Sequence, residues 1–347
     1  MGNIFNYINE YGNITFKDKP FNEIDNLIFS SLAYLNFTNT SINENKYTLE
    51  YIGREYLNKN SYYEVKKRGI PQDDGYSLLK RLVTKERYKN IILSDFIYKI
   101  NQNMQFGAIT FHISKKLMYI CFEGTDELIS GWKEDGHLAC FFPVPAQIEA
   151  INYVNKNISL FGKTVILGGH SKGGNLALVA GMYLKRNKQI KIKKIYSNDG
   201  PGLRKREFSS KEYFKIKKKY IHIVPDASVV GMLLRHDTHQ VVKSKVDGIL
   251  AHSMYNWVIN DDKLYPSYLS TRSKSLEKNL LAWLDKHDDQ ERVKIINSIF
   301  KIFEDNNINN TNEIRKIKNI IKIVYSIKNI DKQTRDTIKE LIDCIKG

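Results

Sequence analysis

The strongest constraint on the fold of this chain is a glycine-rich turn between a strand-like run and a helix-like run. Residues 163–167 predict a short buried strand, and residues 175–184 predict a buried helix. Between them stands Gly168-Gly169-His170-Ser171-Lys172-Gly173-Gly174, in which residues 169–173 fit the pattern G-x-S-x-G. A strand, a sharp turn and an apolar helix are the context of a nucleophile elbow, where glycines leave room for neighbouring backbone. The segment therefore predicts an α/β fold that presents Ser171 above the end of a sheet.

A glycine-rich turn from strand to helix has two other uses. It can be purely structural, or it can cradle a phosphate group. A phosphate loop requires a Lys followed by Ser or Thr, whereas here Lys172 follows Ser171. We therefore interpret Ser171 as a nucleophile, with a structural turn and a phosphate loop as the alternatives.

The periodicity of the remaining chain predicts α/β architecture. Residues 1–100 predict mostly helices, and residues 106–114 and 117–123 predict a β-hairpin. Strand-like and helix-like segments then alternate, with a helix at 145–158 and strands at 191–197 and 220–224. We predict an α/β-hydrolase-like domain over residues 1–270, in which helices flank a mostly parallel sheet. A helical, basic C-terminal extension covers residues 271–347.

The extension is rich in Lys and Ile at helical spacing. Its apolar positions include Ile314, Ile320 and Ile327, followed by Ile338 and Leu341. We expect these helices to pack on the main domain or on each other. A basic amphipathic surface for a membrane or a partner is the alternative.

Composition narrows the class of partner. The formal net charge is +16, which attracts anionic partners such as lipid headgroups. The interpretation we favour is that Lys simply fills surface positions in a chain rich in Asn, Lys and Ile. Lysines and one arginine cluster in two segments, residues 185–194 and 211–219. No nucleic-acid-binding motif accompanies the charge, so we do not expect a nucleic-acid partner.

Localisation and cofactor expectations follow from what the sequence lacks. It contains no apolar run of transmembrane length and no secretory signal pattern. We expect a cytoplasmic protein, with peripheral contact with a membrane as an option. The three cysteines, Cys121, Cys140 and Cys344, are far apart, so we expect neither a disulfide framework nor a zinc site, and no cofactor. The sequence does not indicate the oligomeric state.

Several short blocks stand in a fixed order along roughly residues 5–260. They are Pro20–Asp25 with Leu32–Leu35, Phe122–Asp126 with Gly131–Asp135, Val144–Gln147, Gly168–Ala177, Asn198–Gly202, Val224-Pro225 with Ser228–Leu233, and His252 with Trp257. In this order the blocks resemble the Mbeg1-like family, a lipase-like set of α/β-hydrolase relatives that is distantly similar to class 3 lipases. The resemblance implies a hydrolase-like fold. The tail after about residue 272 lies outside it.

A serine hydroxyl needs a base, and α/β-hydrolases place the partners in the order Ser, acid, His. The histidines that follow Ser171 are His222, His236, His239, His252 and His287. His252 stands late in the core, and the lipase resemblance implies the base at this position, so we predict His252 as the base. His236 and His239 form H-x-x-H, which we interpret as part of a loop because no third metal ligand is evident.

Two aspartates compete for the role of the acid. Asp226 follows the predicted strand 220–224 and could fix the imidazole tautomer, so we predict Asp226 as the acid. Asp199 follows the strand 191–197 and is the alternative. Its other role would be to hold the tight turn Asn198-Asp199-Gly200-Pro201-Gly202.

The oxyanion of an acyl-transfer intermediate needs two N–H donors. The residue after the nucleophile supplies one of them, the N–H of Lys172. The loop Glu123-Gly124-Thr125-Asp126 ends a predicted strand and matches the lipase oxyanion loop, so we predict the backbone of Thr125 or Asp126 as the second donor. Trp132 and Asp135 are expected to anchor this loop.

Together these features predict a serine hydrolase that cleaves acyl esters, with a lipase-like, phospholipase-like or esterase-like activity. The alternative is a catalytically inactive protein of the same fold with a binding or regulatory role, which includes association with a membrane. The acyl chain and the headgroup of the substrate are not indicated by the sequence.

Overall fold

In the computed structural model, residues 1–66, 70–126, 128–314, 316–328 and 330–346 are described. Within these residues, eight strands form one sheet whose spatial order is the order of the chain. The strands are β1 (Tyr47–Thr48), β2 (Ile92–Asn101), β3 (Met104–His112), β4 (Leu117–Phe122), β5 (Thr164–His170), β6 (Ile192–Asn198), β7 (Tyr220–Pro225) and β8 (Gln240–Val242). Pairs from β1 to β4 are antiparallel, and those from β4 to β8 are parallel. A separate two-stranded ribbon joins β9 (Ile259–Asn260) to β10 (Lys263–Leu264).

Helices precede, flank and follow the sheet. The N-terminal helices are α1 (Ile4–Tyr11), α2 (Glu23–Leu32), α3 (Leu49–Lys59), α4 (Tyr62–Lys66), α5 (Ile70–Leu82) and α6 (Glu86–Lys89). The central helices are α7 (Ile129–His137), α8 (Pro145–Asn157), α9 (Lys172–Tyr183), α10 (Arg186–Gln189), α11 (Lys205–Phe208) and α12 (Lys211–Ile216). The C-terminal helices are α13 (Thr271–Lys286), α14 (Asp289–Asp305), α15 (Thr311–Ile314), α16 (Ile317–Lys328) and α17 (Lys332–Lys346).

The sheet is buried on both faces. Its central strands are apolar at consecutive positions, so the side chains on both faces enter a hydrophobic core. In β4, Tyr119 and Cys121 face the core formed with the N-terminal helices. Ile120 and Phe122 of the same strand face the core formed with α8 and α9. Parallel strands covered by helices on both sides show this continuous apolar pattern. The predicted α/β-hydrolase-like architecture, with a mostly parallel sheet flanked by helices, is confirmed.

Residues 1–100 are mostly helical, as predicted, but β1 and most of β2 also lie within this range. Strand β2 pairs with β3, but its register shifts between Ser94 and Ile97. Asp95 lies at this irregularity with a φ of 56°. A bulge interrupts the alternation of inward and outward side chains, so β2 lacks the period-two pattern of a strand.

The N-terminal helices are fastened by a buried ion pair. The side chains of Arg87 and Asp25 are both 0% exposed, with Arg87 Nη2 2.6 Å from Asp25 Oδ2. Arg87 Nε also donates to Asp25 Oδ1 at 2.9 Å, and Arg87 Nη1 donates to the carbonyl of Lys19 at 2.8 Å. This bidentate geometry joins α2 to the short helix α6 before β2.

The C-terminal helices pack on the last strands of the sheet and on one another. Leu276 and Leu280 of α13 share a buried cluster with Val224 and Met232. The division of the chain at residue 270 stays a prediction. Across the described ranges, no helix combines the length and the apolar character that crossing a membrane requires.

We expect Arg87→Met to lower the free energy of unfolding by about 3–5 kcal/mol, because Asp25 would remain charged and buried without its partner. Lys89→Met is the matched control. It removes an ion pair with Glu86 in which the Lys89 side chain is 27% and the Glu86 side chain 51% exposed. The control should cost less than about 1 kcal/mol. Urea denaturation of both variants measures the difference, and equal losses would contradict the buried-pair argument.

Candidate active site

Ser171 occupies a strained turn between β5 and α9. β5 ends at His170, and α9 begins at Lys172. The backbone of Ser171 has φ 57° and ψ −132°, a conformation that an L-residue rarely adopts. Such strain costs on the order of 1–3 kcal/mol and persists only where the surroundings enforce it. The predicted strand, sharp turn and helix are therefore present.

Two glycines let the turn form. A Cβ atom on Gly173 would lie 2.2 Å from the carbonyl oxygen of Phe122 in the neighbouring strand β4. A Cβ atom on Gly169 would lie 2.3 Å from the carbonyl carbon of Gly173. Both obstructions are backbone atoms, which cannot turn aside as a side chain can. The glycines of the motif are thus required by close approach of α9 to β4.

Ser171 and His252 line one cavity of about 480 Å³ at the C-terminal ends of the parallel strands. Apolar side chains form much of its wall, among them Phe5, Trp132, Ile249, Leu250 and Met254. Ile249 and Leu250 are 54% and 58% exposed, so they stand at the mouth of the cavity. They belong to a 3-10 turn, Gly248–His252, that also carries the candidate base.

The carboxylate beside His252 belongs to Asp199. His252 Nδ1 lies 2.7 Å from Asp199 Oδ2, and the Asp199 side chain is fully buried. The other oxygen, Oδ1, accepts hydrogen bonds from Ser228 Oγ at 2.5 Å and from the N–H of Gly231 at 3.0 Å. This carboxylate is therefore held in place from both sides.

The predicted pairing of Asp226 with His252 is wrong. Asp226 Oδ2 lies 2.8 Å from Lys243 Nζ and accepts a hydrogen bond from Ser267 Oγ at 3.1 Å. Asp226 Oδ1 accepts from the N–H of Ser244 at 3.2 Å. The carboxylate thus ties together two segments that follow β8.

Strand register explains why Asp199, the alternative acid, takes this place. His170 pairs with Asn198, so Ser171 and Asp199 are the next residues on two neighbouring parallel strands. Asp226 follows β7, one strand farther from Ser171. The sequence order does not reveal this register.

His170 is a residue of the site that sequence reasoning missed. Its Nε2 lies 2.8 Å from the carbonyl oxygen of His252, and its Nδ1 lies 2.8 Å from the hydroxyl of Tyr34. A carbonyl only accepts, so Nε2 carries the hydrogen and Tyr34 donates to Nδ1. Burial lowers the pKa of His170 well below its usual range, which keeps the ring neutral. His170 therefore connects the turn at Ser171 to the backbone of His252.

The loop after β4 contains the two predicted oxyanion donors. The N–H of Asp126 donates to Gln105 Oε1 at 3.3 Å, and Trp132 Nε1 donates to the carbonyl of Asp126 at 2.9 Å. Trp132 thus anchors the loop, as expected. The N–H of Thr125 makes no hydrogen bond within the described ranges, and Thr125 lines the cavity. Thr125 is consequently the better placed of the two donors.

Lys172 contributes its N–H and its side chain in different ways. As the first residue of α9, its N–H has no acceptor within the helix. Its buried Nζ lies 3.0 Å from Glu134 Oε2 and donates to the carbonyl of Gln105 at 2.9 Å. Asp135 stands beside the same ammonium group, and burial raises the pKa of Asp135 to about 6. This network fixes α9 against α7 and β3.

Ser171 and His252 share the cavity but are not hydrogen-bonded to each other. In the described part of the chain, His252 is bonded to Asp199 and, through its carbonyl, to His170. The bond between a nucleophile and its base is often long in a protein without substrate and tightens when substrate binds.

Comparisons with known proteins give one family. The model of the family described as Mbeg1-like matches residues 82–301. A solved structure titled "Crystal structure of M37 lipase" has a TM-score of 0.35 and 15% identity, covering 59% of this chain and 68% of that chain. Structural similarity this weak supports no conclusion about the chemistry of this chain. No curated protein matches the sequence.

Proposed function

We propose that this chain, which belongs to the Mbeg1-like family, is a serine hydrolase that cleaves acyl esters through Ser171, His252 and Asp199. One observation carries the proposal. A strained serine and a histidine paired with a buried carboxylate line the same cavity, at the end of the sheet where α/β folds bind their ligands.

The proposed reaction begins with attack of Ser171 Oγ on the ester carbonyl carbon. His252 Nε2 takes the serine proton and then gives it to the leaving alcohol, which departs as the acyl-serine forms. Water, deprotonated by His252, releases the carboxylic acid and restores Ser171. Asp199 keeps the hydrogen on Nδ1 of His252, so that Nε2 is free to accept a proton.

The negative charge on the intermediate needs stabilisation. We assign this to the N–H groups of Lys172 and Thr125, with Asp126 as the weaker choice because its N–H already donates to Gln105. The buried pair of Lys172 with Glu134 supports the first donor by holding the start of α9 in place. Preorganised donors of this kind typically contribute about 10²–10³ in turnover each.

A specific observation favours the alternative, an inactive hydrolase-fold protein. The hydroxyl of Ser171 makes no hydrogen bond with His252 among the described residues. The cavity favours the enzyme, because a protein that had lost catalysis would not need to keep the serine, the base and the acid at one opening.

A fluorophosphonate probe distinguishes the two functions. We expect it to label the wild-type chain and not Ser171→Ala, because only an activated serine displaces the fluoride. Ser253→Ala is the control, since Ser253 lines the same cavity. This variant should be labelled like the wild type. A folded wild-type chain that stays unlabelled would establish the inactive alternative.

The acid is tested by two matched substitutions. Asp199→Asn should lower kcat for a chromogenic ester by a factor on the order of 10⁴, because the amide no longer holds the reactive tautomer of His252. Asp226→Asn should leave kcat within about tenfold, since Asp226 bonds to the segments around β8 instead. Melting curves verify that both variants fold. A larger loss for Asp226→Asn would contradict the assignment of Asp199.

The substrate we propose is an ester with an apolar acyl chain, presented by a lipid surface. The apolar mouth at Ile249 and Leu250 supports this proposal. The lysine clusters around α10 and before β7 lie at the N-terminal ends of β6 and β7, opposite to Ser171, so they do not surround the mouth. The net charge of +16 nevertheless adds a general preference for anionic surfaces.

Vesicle sedimentation tests this surface. The double variant Ile249→Ser, Leu250→Ser should lower recovery on vesicles of mixed neutral and anionic phospholipid several-fold, because it removes the apolar side chains that would insert. Ile190→Ser is the control. Ile190 is 77% exposed and lies at the opposite end of the sheet. Equal recovery of the two variants would contradict the proposed docking surface.

A further inference from the structure

Three histidines meet at the edge of the sheet away from the cavity. His222 lies on β7, and His236 and His239 lie in the segment that leads to β8. One ring nitrogen from each lies within 4.8 Å of the others. The sequence pattern H-x-x-H contains two of them and lacked a third ligand. The fold brings His222 into place as the third ligand. His222 lies fourteen residues before His236 in the chain.

One ring nitrogen of His222 is bonded to a backbone carbonyl, and the other faces His239. His222 Nε2 lies 3.0 Å from the carbonyl oxygen of Gly200, so Nε2 carries the hydrogen. Burial lowers the pKa of His222 well below its usual range, so the ring is neutral and Nδ1 has a free lone pair. That Nδ1 lies 2.9 Å from His239 Nδ1.

His239 faces a carboxylate on its far side, beyond hydrogen-bond distance. Its Nε2 lies 3.6 Å from Glu277 Oε1 on α13. The tautomer of His239 with its ring hydrogen on Nε2 would direct that hydrogen at this carboxylate and leave Nδ1 without one. In that tautomer both Nδ1 atoms present lone pairs that a cation can bind, whereas in the other tautomer Nδ1–H of His239 donates to Nδ1 of His222. Histidine ligands of metals usually have the other ring nitrogen bound to a carbonyl or carboxylate, as His222 does through Gly200.

We propose that His222, His236 and His239 form a binding site for Zn²⁺ or a chemically similar divalent transition-metal ion. Nitrogen atoms bound to zinc at about 2.0–2.1 Å in tetrahedral geometry are about 3.3 Å apart, so the two Nδ1 atoms separate by a few tenths of an ångström on binding. Imidazole nitrogen is a donor that such ions prefer.

His236 completes the site by a movement of its side chain. Its ring stacks on that of His222, with centroids 3.8 Å apart and planes at 10°. Parallel rings do not direct their lone pairs at one point, so His236 turns out of the stack when it binds the ion. Burial lowers the pKa of His236 to about 3, so no proton has to leave before it coordinates.

The metal site would stabilise the position of Asp199, the acid of the proposed triad, without contacting the substrate. His222 bonds to Gly200, the neighbour of Asp199. The N–H of Gly202 donates to the carbonyl of Leu233 at 2.9 Å, which ties this turn to the segment before His236. A bound ion would thus join β7, the turn after Asp199 and the approach to β8, and we expect it to raise stability.

Metal loading of the full chain tests the proposal without any assay of activity. Chelator-treated protein is incubated with Zn²⁺, freed of unbound metal by gel filtration, and analysed for metal by mass spectrometry. We expect one ion per chain and a melting temperature that rises with Zn²⁺ concentration. Loading with Co²⁺ should give the intense visible absorption of a tetrahedral nitrogen site.

Matched variants locate the ion. His222→Gln and His239→Gln should lose it, whereas His137→Gln should keep one ion per chain, because His137 lies on α7 and bonds to Asn297. Glu277→Gln leaves every ligand in place and should weaken binding by about 10- to 100-fold, which keeps the test decisive if a ligand variant fails to fold. Wild-type protein without bound metal, or unchanged binding in both His239→Gln and Glu277→Gln, would overturn the proposal. In the first case a hydrogen bond from Nδ1–H of His239 to Nδ1 of His222 would account for the geometry.

Discussion

The close approach of α9 to β4 is the constraint on which the rest of the structure depends. It leaves no room for a Cβ atom at Gly169 or Gly173, and it forces Ser171 into a conformation with positive φ. A strained residue stays strained only if its neighbours are rigid. The sheet, buried on both faces, supplies this rigidity, and the ladder between β5 and β6 brings Asp199 beside Ser171.

Buried ion pairs fix the relative positions of helices that hydrophobic packing alone would not determine. Lys172 and Glu134 hold α9 against α7, and Asp25 and Arg87 hold α2 to α6. A buried ion pair contributes little net stability over an apolar pair of the same shape, but it is costly to break and it requires one geometry. These two pairs therefore define position more than they add stability, which suits a site that depends on distances of a few tenths of an ångström.

The sequence predicted what depends on local patterns and missed what depends on register. The turn at Ser171 was predictable because glycines, a strand and a helix are adjacent in the chain. The strands from β3 to β7 were predictable from their short β-rich runs, but β2 was not, because the bulge at Asp95 breaks the alternation, and neither was the short strand β8. The choice between Asp199 and Asp226 depended on which strand lies beside β5. The bridge through His170 depended on which carbonyl its ring meets after folding.

The cavity wall is assembled from two parts of the chain. Ser171, Asp199 and His252 all lie within residues 82–301, which the family model matches, and so do the wall residues Trp132, Ile249, Leu250 and Met254. Asn3, Phe5, Ser31 and Tyr34, which line the same cavity, come from the first 81 residues. Tyr34 also reaches the backbone of His252 through His170. Substitutions in the N-terminal helices could therefore reshape one side of the cavity while Ser171, Asp199 and His252 keep their arrangement.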